Sequence, residues 1–358
     1  MNGAATRALD IGSSYRWARV NLFNSWFSAL LTVAIVLALV RLVPPIINWA
    51  VLRASVNAPN IGVCHESGGA CWAFITDWYR FLLFGRFPYD QQWRPAAVIV
   101  IFVALLLASC DRRLMGHGLA VLWILGLAFV GVLMWGGVFG MPLVETDLWN
   151  GLPLTLILAV GGIALSFPLA LLLALGRRSA MPAVRALSVG YIEIVRGLPF
   201  IVWLFMGVVM VPLFLPPNFF IPKLWRLEIV FILFIAAYVA EVVRGGLQAI
   251  PRGQFEASAA LGLGYWRQMR LVVLPQALGI SIPPLVGTFI GAFKDTALVT
   301  TVGFFDLLQD ATVGMNDPTW RGAYVEAYAF VALIYFVFCY FMSRYSRYIE
   351  TRLGKGRR

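Results

Sequence analysis

Charged side chains inside long apolar runs are the residues of this sequence best suited to bind a charged ligand. Glu241 lies about halfway along one such run, and Arg244 follows it by one helical turn, so the two share a helix face. A charge near a bilayer centre costs at least ~2.5–3.5 kcal/mol and normally faces a cavity or a partner. The pair is either a structural ion pair or a site where Glu241 meets an ammonium group. Glu193 and Arg196 repeat the spacing, and there we favour a structural pair.

A second polar group, Lys-Asp-Thr at 294–296, directly follows another apolar run. That run contains Pro283-Pro284 and then Gly287 and Gly291, a pattern that permits a broken helix and close packing against another helix. Polar side chains beside a broken helix suit binding or gating. The alternative is that they only cap the helix and extend to the membrane interface.

No catalytic motif accompanies these charges. The sequence contains no Gly-x-x-x-x-Gly-Lys-Ser/Thr phosphate loop, and the basic tail Gly354-Lys355-Gly356 does not replace one. It contains no His-Glu-x-x-His, no Gly-x-Ser-x-Gly and no cluster of metal-ligand residues. We therefore expect no ATPase or other enzyme, no metal and no cofactor in this chain.

The composition is that of an integral membrane protein. Of the 358 residues, 61% are hydrophobic and 13% charged, whereas a soluble domain is roughly 45–50% apolar and about 25% charged. The mean hydropathy is +0.82. The net charge of +11 does not indicate nucleic-acid binding, because the arginines lie mainly at the ends of apolar runs.

Eight apolar segments are long enough to cross a bilayer, which needs about 20 residues. An even number places both termini on one side, and an inside assignment gives the cytoplasmic segments the larger share of the 28 cations. The sequence predicts an all-α membrane protein with eight transmembrane helices and both termini in the cytoplasm. The predicted spans are 22–43, 95–110, 119–140, 152–175, 189–214, 228–250, 277–293 and 324–342.

The loops divide the chain unevenly. Residues 1–147 contain three spans and a long external loop, 44–94. Residues 148–350 contain five spans and a polar cytoplasmic stretch, 251–275, before a basic tail at 351–358. No period of repeated segments is visible, which argues against a transporter built from inverted repeats within one chain.

The external loop contains two neighbouring cysteines, Cys64 and Cys71. The predicted topology places both in an oxidising compartment, where disulfides form. We therefore favour a disulfide over free thiols. Together with His65 the two could also bind a metal, but two cysteines and one histidine in a glycine-rich loop are a weak case.

The polar stretch after the sixth predicted span contains a short helix-forming segment. Ala257, Ala259 and Ala260 are strong helix formers, and Gly262 is a natural helix end. A helix this short is unstable alone in water and must dock against something. Its small side chains would allow a partner groove to approach the backbone.

The spacing of this stretch resembles the cytoplasmic coupling motif of bacterial ABC importer permeases. That motif reads Glu-Ala-Ala, three residues, Gly, nine residues, Ile, one residue, Leu-Pro. Here Ser258 replaces the second Ala and Val272 replaces the Ile, and both changes conserve size or branching. The resemblance implies that coupling to an ATPase involves Glu256, Ala257, Ser258, Gly262, Leu274 and Pro275.

Three further stretches are similar to those of polar amino acid permeases. They are 238–251, the Arg-Gly-Leu-Pro turn at 196–199, and 293–299, where Ala297 replaces a Ser. The resemblance covers 148–358. The three extra N-terminal spans resemble the M-type membrane subunit of the general L-amino-acid importer and related cyanobacterial importers of acidic and neutral amino acids.

This resemblance implies a five-helix type I ABC importer core preceded by three extra helices, in the bacterial inner membrane. Such a subunit pairs with a second permease, usually a Q-type paralogue in a heterodimer. Two ATPase subunits bind ATP and Mg below, and a periplasmic binding protein delivers the amino acid above. The alternative, a secondary transporter or channel that works alone, leaves the coupling motif unexplained.

If a polar amino acid crosses here, polar groups within the spans must replace its hydration. Arg177 and Arg178 are excluded as residues that anchor a span at the cytoplasmic surface. Lys294 could bind a carboxylate, and Asp295 or Glu241 an ammonium group. The candidate path or gate residues are Glu241, Arg244, Thr288, Lys294, Asp295, Thr296 and Thr300.

Overall fold

The computed structural model describes residues 11–109, 116–216 and 218–355, and these residues form no β-strand. The first ten residues, Cys110 at the end of the second predicted span, and the last three residues of the tail lie outside this part. The α-helices are α1 Ile11–Asn21, α2 Trp26–Ile47, α3 Ile61–Ser67, α4 Ala73–Phe84, α5 Trp93–Ser109, α6 His117–Trp135, α7 Gly151–Gly176, α8 Pro182–Gly197, α9 Phe200–Leu204, α10 Val211–Phe214, α11 Lys223–Gln248, α12 Arg252–Ala260, α13 Tyr265–Gln268, α14 Leu274–Asp295, α15 Leu307–Gly314 and α16 Tyr324–Lys355. Short π-helices cover Asn48–Leu52, Phe205–Met210 and Met269–Val273, and 3-10 turns cover Tyr89–Gln91, Thr146–Leu148 and Thr296–Val302.

Among the described residues, six helices are long and apolar enough to cross a membrane, or seven if the bent pair formed by α8 and the α9–α10 segment is one span. The all-α membrane architecture is confirmed. The remaining predicted span, 228–250, lies in α11, a 26-residue helix that is not among these six. The total of eight therefore stays a prediction.

The chain divides into two compact units, Met1–Thr76 and Asp77–Arg358. In the first unit, α2 has no buried residue, as expected for a helix surrounded by lipid. In the segment after it, the Ser55 amide donates to the Ala70 carbonyl at 2.8 Å, and the Ala73 amide donates to the Ser55 carbonyl at 3.0 Å. The Trp72 indole N–H donates to the Ala50 carbonyl at 2.8 Å. A disulfide joins Cys64 to Cys71 in the same segment.

In the second unit, α11 is the central helix and packs against α7, α14 and α8. Two glycines of α7 make its close approach possible. A Cβ at Gly162 would lie 2.6 Å from the Phe231 ring, and one at Gly161 would lie 2.5 Å from a Glu228 carboxyl oxygen. Small residues at a helix interface let two backbones approach closely within a membrane, where packing replaces the hydrophobic effect.

The fifth predicted span, 189–214, is not one straight helix. α8 and the α9–α10 segment meet at an angle of 107°. Leu198, between them, is extended (φ −112°, ψ 144°), because the ring of Pro199 disfavours helical geometry in the preceding residue. The Trp203 indole N–H donates to the Val195 carbonyl at 3.2 Å and satisfies one acceptor at the end of α8.

The seventh predicted span, unlike the fifth, is one continuous helix. α14 passes through Pro283-Pro284 without a break. The expectation of an interrupted helix is wrong here. Each proline removes one N–H donor from the helix, yet neighbouring helices support such prolines inside membrane proteins. α14 packs against α11, α16 and α7.

Arg94 ties α5 to α6 within the second unit. Its side chain is fully buried, and its guanidinium donates to the carbonyls of Leu133, Met134 and Pro142 at 2.6, 3.2 and 3.0 Å. Two of these acceptors lie in the last turn of α6, where a cation is favourable to the helix dipole. Arg94 therefore fixes the start of α5 to the end of α6.

The Cys64–Cys71 disulfide of the first unit can be tested directly. In protein purified without reductant, mass spectrometry should find the two cysteines in one linked peptide pair, with Cys339, a free and half-buried thiol, as the internal control for alkylation. Cys64→Ser should make the segment around it more sensitive to protease, because a short cross-link of this kind is worth about 2 kcal/mol. Complete alkylation of both cysteines before reduction would contradict the bond.

Candidate functional site

Five charged side chains from three helices meet in one cluster. Glu241 accepts from Arg244 Nε at 2.9 Å, and its other carboxylate oxygen lies 3.3 Å from Arg177 Nη1 and 3.9 Å from Arg196 Nη1. Arg177 Nη2 also donates to Glu193 at 2.9 Å. We call these five residues the arginine–glutamate cluster. It contains one more cation than anion.

The cluster is positioned by the ends of α7 and α8 against α11. Arg177 is the residue that ends α7, and Arg196 lies in the last turn of α8, with its guanidinium 5.4 Å from the centre of the Tyr238 ring. The Tyr191 hydroxyl donates to the Leu233 carbonyl at 2.6 Å and holds α8 on α11. The predicted Glu241–Arg244 pair is present within this larger group.

The predicted Glu193–Arg196 pair is wrong, because the two residues bind different partners. Glu193 binds Arg177, and Arg196 lies beside Glu241. Sequence reasoning also missed Arg177, which had been excluded as a surface anchor. The signal that could have found it is charge balance. In apolar surroundings, each arginine near a glutamate needs a partner of opposite charge.

The predicted coupling segment is a short helix followed by a glycine turn. α12 ends at Ala260, and Gly262, two residues further on, has a φ of +72°, which confirms the predicted left-handed glycine after the helix. The amide of Gly262 donates to the Ala259 carbonyl at 2.9 Å, and that of Leu263 to the Ser258 carbonyl at 3.2 Å. An added Cβ at Gly262 would meet no atom within 4 Å, so glycine is needed there for its backbone conformation only.

Ser258 joins α12 to α13. Its side chain is buried, and its hydroxyl donates to the Gln254 carbonyl at 2.7 Å. The Gln268 amide donates both to the Ser258 hydroxyl and to the Phe255 carbonyl, the latter at 2.7 Å. The replacement of alanine by Ser258 therefore adds a hydrogen-bonded link within the segment, which the sequence did not indicate.

The coupling segment also carries large apolar side chains that are exposed. Leu261, Trp266 and Leu271 expose 79%, 70% and 63% of their surface. Glu256 and Ala257 are also exposed. Pro275 is exposed and Leu274 half-buried, directly after the π-helix Met269–Val273. Exposed aromatic and aliphatic side chains with a polar rim are typical of a protein-binding surface.

Arg178 connects the coupling segment to the arginine–glutamate cluster. Its guanidinium donates to the Leu247 carbonyl at the end of α11 at 2.9 Å, and lies 5.7 Å from the centre of the Phe255 ring of α12. The preceding residue, Arg177, binds Glu241 and Glu193. Adjacent arginines thus contact the coupling helix on one side and the cluster on the other.

Two of the other predicted path residues belong to a separate network around α15. The Thr296 hydroxyl lies 3.3 Å from the Tyr335 hydroxyl, which donates to a carboxylate oxygen of Asp306, also at 3.3 Å. The Thr300 hydroxyl donates to the Gln309 side chain at 3.0 Å. Asp306 is fully buried, and this burial raises the pKa of its carboxyl to about 6.

Thr288, Lys294 and Asp295 belong to neither group. The Thr288 hydroxyl donates to the Pro284 carbonyl at 3.1 Å within α14. Lys294 is exposed and Asp295 half-buried, and no ion pair between them occurs in the described part of the chain. The structure therefore brings Glu241 and Arg244 together, and it places Thr296 and Thr300 in one network. It does not bring all seven predicted path residues to one site.

Within residues 11–109, 116–216 and 218–355, no group of three or more His, Cys, Asp or Glu side chains is arranged to hold a metal ion. The geometry instead offers a docking surface, a charged cluster and a physical link between them. Such an arrangement can pass a displacement from a bound protein to the membrane helices.

Comparison with known proteins agrees with this geometry. The family described as "Binding-protein-dependent transport system inner membrane component" matches residues 166–355. The inner membrane amino-acid ABC transporter permease YhdY of Escherichia coli K12 is 47% identical over 343 residues, which cover 95% of this chain and 93% of that protein. The glutamate/glutamine/aspartate/asparagine transport system permease BztC of Rhodobacter capsulatus is 40% identical over 413 residues, covering 96% of this chain and 94% of that protein.

Among solved structures, an amino acid ABC transporter crystallised with histidines is 33% identical, with a TM-score of 0.50. The match covers 56% of this chain and 92% of that one. From the family match and the near full-length relatives, we conclude that the chain belongs to the binding-protein-dependent transport system inner membrane components.

Proposed function

We propose that this chain is the membrane-spanning permease subunit of an ATP-driven, binding-protein-dependent importer of polar L-amino acids, both acidic and neutral. The observation that carries the proposal is the exposed coupling segment, with its left-handed Gly262 and its contact through Arg178 with α11. Its relatives are named as permeases of amino-acid ABC transporters. A transporter that works alone would have no use for this segment.

The coupling segment is the proposed docking site for a partner ATPase subunit. That subunit would hold ATP and Mg, since this chain has no phosphate-binding loop. Movement of α12 would displace Phe255 against Arg178, and Arg178 would carry the displacement to the end of α11. Arg177 would then shift at the arginine–glutamate cluster and separate or join α8 and α11.

The proposed assembly contains a second permease of the Q type, two ATPase subunits and a periplasmic binding protein. Residues 148–350 would form the five-helix core and 1–147 the extension, with 351–358 as a cytoplasmic tail. The proposed location is the bacterial inner membrane with both termini in the cytoplasm. A disulfide in the 44–94 loop is consistent with an external position for that loop.

The contacts of the proposed path residues support a different role for each of them. Both Glu241 oxygens contact arginines, so Glu241 acts in our proposal as a gate residue that joins α7, α8 and α11. Asp295 is half-buried and has no arginine partner in the described residues, which leaves its carboxylate available for an ammonium group. Exposed Lys294 would attract the substrate carboxylate.

The docking role of the coupling segment can be tested at its glycine. Gly262→Val places a branched side chain at positive φ, which costs about 1–3 kcal/mol, and Glu256→Arg reverses an exposed charge on the docking face. Both variants should weaken co-purification of the ATPase subunits or make ATP hydrolysis independent of the binding protein and its amino acid. Gly264→Ala is the matched control, because Gly264 lies in the same turn with an ordinary φ of −66°. Normal coupling in both test variants would remove the segment from this role.

The path residues can be tested by uptake measurements in assemblies that still form. Asp295→Asn should raise the apparent KM by about tenfold or more, the loss expected for a charged hydrogen bond, and Glu241→Gln should lower the transport rate by releasing three arginines. Glu193→Gln is the control, since that side chain is more exposed and binds one arginine. If KM and rate stay unchanged in both test variants for every amino acid, this chain takes no part in substrate recognition.

A further inference from the structure

A cavity between the α5–α6 pair and the core helices belongs to none of the sites above. Its volume is about 410 Å³, within the range of roughly 300–1,000 Å³ that ligand pockets occupy. Leu106 of α5 and Trp123 of α6 line one side, and Ile163 of α7, Phe289 of α14 and Phe341 of α16 line the other. Apart from Ser109, Trp123 and Tyr345, its lining residues are apolar.

Ser109 accepts hydrogen bonds from the other two residues. The Trp123 indole N–H donates to the Ser109 hydroxyl at 3.0 Å, and the Tyr345 hydroxyl donates to the Ser109 carbonyl at 2.7 Å. The indole N–H and the phenol hydroxyl are therefore already used. The cavity itself selects an apolar occupant.

A second cavity lies beside the first and adds a positive charge. Its volume is about 390 Å³, and it shares Phe341 and Tyr345 with the first. Arg344 lines it together with tyrosine side chains. Arg344 is exposed and has no ion-pair partner in the described part of the chain.

We propose that the two adjacent cavities bind one anionic phospholipid, with an acyl chain between α5, α6 and the core helices and the phosphate on Arg344. An acyl chain gains little hydrophobic energy on leaving the bilayer, because lipid is as apolar as the cavity wall. The headgroup must then provide the selectivity. A guanidinium binds phosphate oxygens in pairs. It favours a net-anionic lipid over a zwitterionic one, because the choline cation of the latter repels it. Tyrosines suit the membrane interface.

The position of the cavity assigns the lipid to one leaflet. The cavity residue Ile282 lies two turns from the start of α14, which directly follows the coupling segment, and Ser109 is the last residue of α5. The charged end therefore faces the side of the membrane on which the coupling segment lies. Naming this the cytoplasmic leaflet rests on the proposed function; the binding site itself does not. The bound lipid would lie between α5 and α6 on one side and the core helices α7, α14 and α16 on the other.

The test uses the full-length chain in mixed micelles that contain equal amounts of phosphatidylglycerol and phosphatidylcholine with identical acyl chains. Native mass spectrometry should show a preference of about fivefold or more for phosphatidylglycerol, the effect expected of one cation near an anionic lipid. Arg344→Glu should abolish the preference. Arg347→Glu is the matched control, because Arg347 is exposed on the same helix and lines neither cavity.

A second variant tests the apolar part separately. Ala164 is exposed and lines the first cavity, so Ala164→Trp should fill it and reduce retention of both lipids. A photoactivatable phosphatidylglycerol should label peptides of α14 and α16. Equal retention of the two lipids by the unmodified chain, equal losses in Arg344→Glu and Arg347→Glu, full retention in Ala164→Trp, or labelling confined to other helices would each overturn the site. No ATPase or amino acid is needed for these readouts, so their failure leaves the proposed function standing.

Discussion

The contact of one carboxylate, Glu241, with three arginines is the interaction on which the arrangement of α7, α8 and α11 depends. Without it, three cations from three different helices would face one another in half-buried surroundings, and among the described residues only Arg177 would keep an ion-pair partner, Glu193. Arg177 and Arg196 form ion pairs with Glu241 at 3.3 and 3.9 Å, and these weaken as the charges separate. α8 and α11 therefore have a contact that can be made or lost without unfolding either helix.

The pairing of Arg177 with Arg178 extends this constraint to the membrane surface. Two consecutive residues of one turn contact Glu241 on one side and, on the other, Phe255 of α12 and the carbonyl at the end of α11. Ser258 and Gln268 join α12 to α13, which links the two parts of the coupling segment. A protein that docks on its exposed face would act on the cluster through the backbone of Arg177 and Arg178, with no contact to the helices above.

Local features of the sequence predicted the local features of the structure. The helix-forming alanines and Gly262 predicted α12 and its left-handed end, because helix propensity and glycine geometry act within a few residues. The prolines were less informative about where a helix breaks. Pro199 bends its span by 107°, whereas Pro283 and Pro284 lie inside a continuous helix. The partners of Glu193 and the role of Arg177 depend on how α7, α8 and α11 pack, which no spacing within one segment can indicate.

The two prolines of α14 also set its stiffness. Because Pro283 and Pro284 have no N–H, the carbonyls of Gly279 and Ile280 lack their usual backbone donors, so fewer hydrogen bonds resist bending at this point. α11 contains no proline along its 26 residues. Both helices have an end close to the coupling segment. If a bound partner displaced that segment, α11 would carry the movement along its length, whereas α14 would yield at its two prolines, and Asp295 at its far end would move less than the cluster.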